Sequence, residues 1–197
     1  MLRPLFIACL PFVILAGCAE PTPPSITVDD IAAAEAEFNR VSALPVIALA
    51  DRPTSTVSYS GKLSGPVIVD GESGYAIQGD LAMNVNFGLS SAVSGSLGNI
   101  NLIDNGIPDQ RLGGNLTLLG STSGTTVSST ITGQIDAVGE DVPFRGTSDV
   151  RLNLSGDVRQ DAGTATAIVG SWTGGSVSPD TDDFDISGTG GFFATSN

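Results

Sequence analysis

The chain contains no histidine, two cysteines, one tryptophan and two tyrosines, and charged residues make up only 15% of its 197 positions. Each shortage removes a class of chemistry. Without histidine there is no imidazole general base, no serine–histidine triad and no histidine-ligated zinc or haem. One lysine, Lys62, and seven arginines stand against 21 Asp+Glu, for a formal charge of −13. That sign is wrong for neutralising phosphates, so nucleic acid is excluded as a partner. Long apolar runs are scarce: the one from Leu5 to Ala16 is broken by Pro11 and falls short of the ~20 residues a spanning helix requires. Glycine is abundant, at 25 residues in a chain that is still 41% hydrophobic. A core with that many turn formers points to β structure.

Residues 1–17 have the plan of a signal peptide, with a positive charge at Arg3, the apolar run and small residues at its end. The closing Leu15-Ala16-Gly17-Cys18 resembles the lipobox of bacterial lipoproteins. That resemblance implies lipidation, including palmitate, at Cys18, cleavage before it, and attachment to a membrane through it. Ala19 stands where an inner-membrane retention signal has Asp, which implies the bacterial outer membrane. Cys9 would leave with the signal peptide and Cys18 would carry lipid, so no disulfide is expected to support the mature fold.

Residues 18–27 are Pro-rich and read as an extended tether. In the segment 28–50, Ile31, Ala34, Phe38 and Val41 recur at helical spacing, Thr27 and Asp30 stand at capping-box separation, and Pro45 closes the run. The pattern predicts a short helix over 29–42, docked at the edge or mouth of the domain that follows. From residue 51 to 197 the period is two. Tyr75, Ile77, Gly79, Leu81, Met83, Val85 and Phe87 alternate with a polar set, and similar runs surround Tyr59, Val93, Leu116, Ile131, Leu152, Ile168 and Phe192. Turn signals such as Asp70-Gly71 and Asn105-Gly106 separate them. Glycines recur inside the apolar faces, as at Gly61, Gly95 and Gly170, and predict bends where a sheet closes on itself. The expected fold is all-β, an eight-stranded antiparallel up-and-down barrel preceded by a short helix and a lipoprotein signal peptide. A membrane-spanning barrel would carry the same alternation inverted, with aromatic girdles; aromatics at 6% and a Ser196-Asn197 end oppose it.

Several barrel segments resemble the β-barrel domain of transferrin-binding protein B and related surface lipoproteins. They are Pro53-Thr54-Ser55-Thr56-Val57-Ser58-Tyr59-Ser60-Gly61, then Val85-Asn86-Phe87-Gly88 with Ala92-Val93-Ser94-Gly95, and the closing Gly188-Thr189-Gly190-Gly191-Phe192-Phe193-Ala194. The likeness extends over residues 50–197 and implies a barrel held at the outer membrane, facing the cell surface or the periplasm, that binds a protein or solute ligand. One barrel is expected here without the handle domain that precedes it in the larger members, and no ligand-contacting residue carries over. The competing expectation is a structural or assembly-accessory envelope lipoprotein without a soluble ligand.

Chemical motifs are few. Gly61-Lys62-Leu63 fails as a P-loop, Gly188 to Phe193 fails the dinucleotide fingerprint, and no Gly-x-Ser-x-Gly elbow occurs. Asp180, Asp182, Asp183 and Asp185 form the densest acid cluster, which offers hard oxygen ligands for calcium but breaks the EF-hand pattern at Phe184; a solvated turn is the expected reading. Trp172, Tyr59 and Tyr75 are the side chains that most often dominate binding surfaces, and Trp172 on its alternating face is expected in the core. No catalytic residue, cofactor or metal ligand is assigned; the expectation is a monomeric, non-enzymatic binding module.

Overall fold

The computed structural model describes residues 22–138, 145–163, 166–179 and 181–197. The signal peptide and lipobox expected over residues 1–18, with Cys18, lie outside the described residues. The alternation from residue 56 onward becomes β1 (Thr56–Val69), β2 (Glu72–Asn86), β3 (Ala92–Asp104), β4 (Ile107–Leu112), β5 (Leu116–Ser123), β6 (Thr126–Ala137), β7 (Gly146–Gln160), β8 (Thr166–Ser176) and β9 (Ile186–Ser196). All pairings are antiparallel. β1 pairs with β2 and β2 with β3; β5 to β9 continue the meander, and β9 returns to β1. β4 lies against the Ile100–Asp104 half of β3 and β5 against the Ala92–Leu97 half. The two are consecutive parts of one stave, interrupted at Gly113 and Gly114. Gly114 has φ +99°, and a side chain there would collide with the Gln134 carbonyl. Nine strands therefore make a closed barrel of eight staves, as the sequence predicts.

The predicted turns do what their residues require. Asp70-Gly71 and Asn105-Gly106 both hold two successive positive φ values, the backbone of a two-residue type I′ hairpin. Of the strand glycines, Gly61 and Gly170 show the reason for their presence most plainly. A Cβ on Gly61 would strike the Phe193 carbonyl, and one on Gly170 the Ser155 carbonyl. Small inward positions let neighbouring staves coil tightly enough to close on so few strands.

Apolar residues face inward: Tyr59, Leu63, Leu81, Met83, Leu97, Leu118, Ile131, Ile168, Trp172 and Phe192 belong to one continuous buried cluster. Outward positions such as Ser58, Ser60, Asp80 and Asn84 are exposed or half-exposed and polar. This is the reverse of a lipid-facing barrel.

The helix α1 (Val28–Ser42) opens with the predicted capping box, Thr27 and Asp30 each accepting from the other's backbone N–H. It does not sit at the edge or mouth. It lies on the outer wall, where Ala34 and Val41 bury against Ala167, Val169 and Phe193, with Phe38 and Leu44 packed beside them. The physical reason lies in the wall it covers: β8 and β9 carry apolar residues on their outward as well as inward positions, and Gly191 leaves room for the Phe38 ring. After α1, Pro45 to Ile47 join β7 through Gln160 N–H to Pro45 O (2.9 Å) and Ile47 N–H to Val158 O (3.0 Å). Before α1, Ser25 donates its N–H to Asn101 Oδ1 (2.8 Å) and its hydroxyl to Asn99 Oδ1 (2.6 Å). Arg111 N–H donates to Thr22 O at 2.9 Å. Residues 22–47 form a belt around the barrel, so the part of the tether segment from Thr22 onward is fastened to the wall.

Candidate ligand surfaces of a filled barrel

A ligand can meet this fold inside the barrel, at either rim or on the wall. The interior is occupied by side chains. Trp172 fills the middle and is buried; its Nε1–H donates to Ser64 O at 2.9 Å. The β1–β9 pairing has a gap at Gly65 and Pro66. Proline has no N–H to contribute to the ladder. The indole reaches into that gap because Gly188 and Gly190 present no side chain against it. Tyr59 is buried deeper toward one end; its hydroxyl shares a hydrogen bond with Thr166 Oγ1 (2.6 Å), and burial raises its pKa above the ordinary phenol value. The interior void beside Trp172 has a volume of about 20 Å³ and is lined by apolar residues including Val67, Ile77, Leu116, Ile135 and Leu152. It has room for one water at most and offers few polar partners to hold it. Of the three aromatic residues singled out from the sequence, Trp172 and Tyr59 are thus core residues, and Tyr75 is half-buried near the start of β2.

The rim that carries the turns at 87–91, 124–125 and 161–163, here the lower rim, is stoppered. The Arg52 guanidinium stands 5.7 Å over the Phe87 ring, donates to Gly124 O (2.7 Å) and Phe87 O (3.2 Å), and Phe87 meets Tyr59 edge-on at 6.5 Å. Beside this stopper lies an open hollow of about 1060 Å³ lined by Asp51, Val57, Gln160, Asp161, Thr166 and Asn197. Its lip is held by Arg40 of α1, which donates to Asp161 (3.0 and 3.1 Å) and to Glu37 (2.7 and 2.8 Å). The hydrogen bonds from Arg40 hold the carboxyls of Asp161 and Glu37 below the usual carboxylate range. On the wall, a groove of about 420 Å³ runs between α1 and the sheet, lined by Ile31, Phe38, Pro66, Ala76, Gln78 and Ile103. Gln78 is buried there, and its Nε2 has no hydrogen-bond partner.

The acid cluster belongs to the upper rim, with the turns at 70–71 and 105–106. Asp180 lies outside the described residues. Asp183 accepts from Thr147 N–H (2.9 Å), Asp182 from the Ser148 hydroxyl (3.3 Å), and Asp185 donates its N–H to Asp70 (2.8 Å). Their recorded bonds tie the β8–β9 loop to its neighbours, and among the described residues no group of three or more His, Cys, Asp or Glu side chains is placed to hold a metal ion. The nearby hydroxyls of Ser148 and Ser176 bond each other at 2.7 Å, and Ser176 also accepts from Ile186 N–H. Sequence reasoning missed the Ser25, Asn99 and Asn101 fastening, the Arg52 stopper and the Arg40 clamp. Their partners lie 35 to 121 residues away, except Glu37, so no local pattern announces them.

Among the described residues no helix is long and apolar enough to cross a membrane. No family model matches the chain, and no curated protein matches it. Among solved structures, that of short afifavidin in complex with biotin is similar at 20% identity over 68% of this chain and 88% of that one, with a TM-score of 0.34.

Proposed function

We propose that this chain is a lipid-anchored, non-enzymatic lipoprotein of the bacterial outer membrane, of the transferrin-binding protein B-like type, whose barrel is a solid scaffold that recognises a partner on its outside. The observation that carries the second half of this reading is the filled interior: a void of about 20 Å³ leaves recognition to the rims and the wall. The first half is supported by Leu15-Ala16-Gly17-Cys18 at the end of an apolar run. Two acyl chains on Cys18, at ~0.8 kcal/mol per buried methylene, would suffice for stable anchoring to a bilayer. The hollow of about 1060 Å³ on the lower rim, lined by the amides of Gln160 and Asn197 and the carboxylates of Asp51 and Asp161, is a concave surface open to a macromolecular partner.

Anchoring is tested by Cys18→Ser, which should move the protein from the membrane fraction to the soluble one; retention on membranes after a high-salt wash would refute it. Recognition is tested by cross-linking on cells. A defined partner should be lost on Gln160→Arg with Asn197→Arg at the hollow and kept on Val150→Ile, which fills part of the interior void. The opposite pattern would move the site inside the barrel, and the absence of any partner would favour the structural lipoprotein.

A further inference from the structure

The belt determines how far the barrel can stand from whatever holds Cys18. Between Cys18 and Thr22 there are four residue steps, and a fully extended chain covers ~3.3–3.6 Å per step, so the leash is at most about 14 Å. Were the segment free to Thr27, nine steps would allow about 30 Å. The fastening is specific in height as well. Thr22 is bonded to Arg111, which lies opposite Asn101 of β3. From Asn101, β3 runs three residues up to Asp104 and nine residues down to Ala92. At ~3.3 Å per residue these are about 10 Å to the upper rim and about 30 Å to the lower one. Projected on the barrel axis with staves tilted by ~35–45°, they become about 8 and about 23 Å. A leash of about 14 Å reaches past the upper rim and cannot reach the lower one.

We propose that the docked belt sets the orientation of this protein on the bilayer: the upper rim and the adjoining β3–β4 wall face the lipid, and the lower rim with its hollow points away. The inference rests on the reading of Cys18 as the lipidated residue. The composition of the upper face is compatible with this orientation. Among the described residues, Ile68 and Ile107 beside the upper hairpin turns and Val138 and Val177 at the ends of β6 and β8 are exposed branched aliphatics, between 46% and 65% exposed. Around them stand exposed carboxylates, Glu72 and Asp104 among them. That surface suits a zwitterionic bilayer whose ethanolamine headgroups present ammonium groups, and it disfavours an anionic one.

The experiment uses the fact that lipidated Cys18 leaves no other thiol in the mature chain. Single variants Asp109→Cys, near the upper rim, and Leu89→Cys, on the lower, are labelled with a fluorophore and reconstituted in phosphatidylethanolamine-rich vesicles carrying a headgroup quencher. The dye at 109 should be quenched at least twofold more than the dye at 89; equal or reversed quenching overturns the orientation. Ten Gly/Ser residues inserted between Glu20 and Pro21 should abolish the difference, and a difference that survives overturns the leash as its cause. The mass of the N-terminal peptide reads lipidation in the same samples. An unlipidated wild type is a failure of the lipoprotein reading, recognised separately, and takes this inference with it.

Discussion

Replacing Trp172 by alanine tests whether the barrel is as full as its side chains imply. The indole is 1% exposed, sits against Gly188 and Gly190, and lines a void of about 20 Å³. Two losses add. Removing a buried Trp or Phe side chain costs about 3–5 kcal/mol through lost transfer energy and the cavity left behind. Ser64 O loses its donor, which adds about 1 kcal/mol. The walls cannot collapse freely, because every strand but β4 is paired with a neighbour on both sides. Trp172→Ala is therefore expected to lose about 4–6 kcal/mol, and Trp172→Phe, which keeps most of the volume but not the N–H, about 1–2 kcal/mol.

The assay is urea denaturation followed by the circular dichroism of the strands, since the only tryptophan is gone; a lower midpoint at unchanged slope reports stability. A domain of ordinary stability, about 5–15 kcal/mol, should remain folded in at least part of that range. The alanine variant should also gain an apolar cavity in which indole fits. Saturating indole at 100 times its Kd would restore about 2.7 kcal/mol to the variant and leave the wild type unchanged. A cost below about 1 kcal/mol for Trp172→Ala would show that the interior is loosely filled. The exclusion of an interior ligand would then fall.

Three further outcomes follow from the same packing. Gly170→Val should destabilise by about 1–3 kcal/mol or more, since its side chain would strike the Ser155 carbonyl, and urea melts would show it; a neutral result would mean the staves can spread. Phe38→Ala, on a half-buried ring over Gly191, should cost about 1.5–2.5 kcal/mol and speed hydrogen exchange in α1 while leaving β5 and β6 unchanged. Acid should loosen the belt. Hydrogen bonds to Arg40 lower the pKa of Asp161 and Glu37, and the Thr27 side chain lowers that of Asp30. Groups with a depressed folded pKa stabilise fully above their unfolded values and lose that contribution as pH falls through the folded ones. Exchange protection in α1 should be flat from pH 8 to 5 and decline below about pH 4; a decline that begins near neutrality would refute this assignment.

The barrel was legible in the sequence because a closed sheet obeys a single rule. Every second residue from Tyr75 to Phe87 is apolar, and each such position faces the interior. One register error would have turned that face to solvent. The hairpin turns were legible for a similar reason, as Asp70-Gly71 and Asn105-Gly106 satisfy a local backbone requirement. The capping box was local too. The position of α1 was not, because it depends on Ala167, Val169 and Phe193, outward residues on strands whose alternation hides a second apolar face. In β8 the run Ala167-Ile168-Val169 is continuous, and that break in alternation is the signal that a helix covers the wall.

Surface recognition follows different physics. Interior residues are constrained by burial, which leaves a period in the sequence; a rim or wall residue is constrained only by what touches it. Arg52 joins Phe87 and Gly124, and Arg40 joins Asp161, across loops that the chain brings together only after closure. The dense acids from Asp182 to Asp185 invited a metal reading because they are neighbours in sequence. In space the Asp183 and Asp182 carboxylates accept from different partners, Thr147 and Ser148, and Asp185 is tied to Asp70 through its backbone N–H. Proximity along the chain carried no chemistry there, whereas the three residues between Cys18 and the fastened Thr22 would, with Cys18 lipidated, limit where the whole barrel can stand.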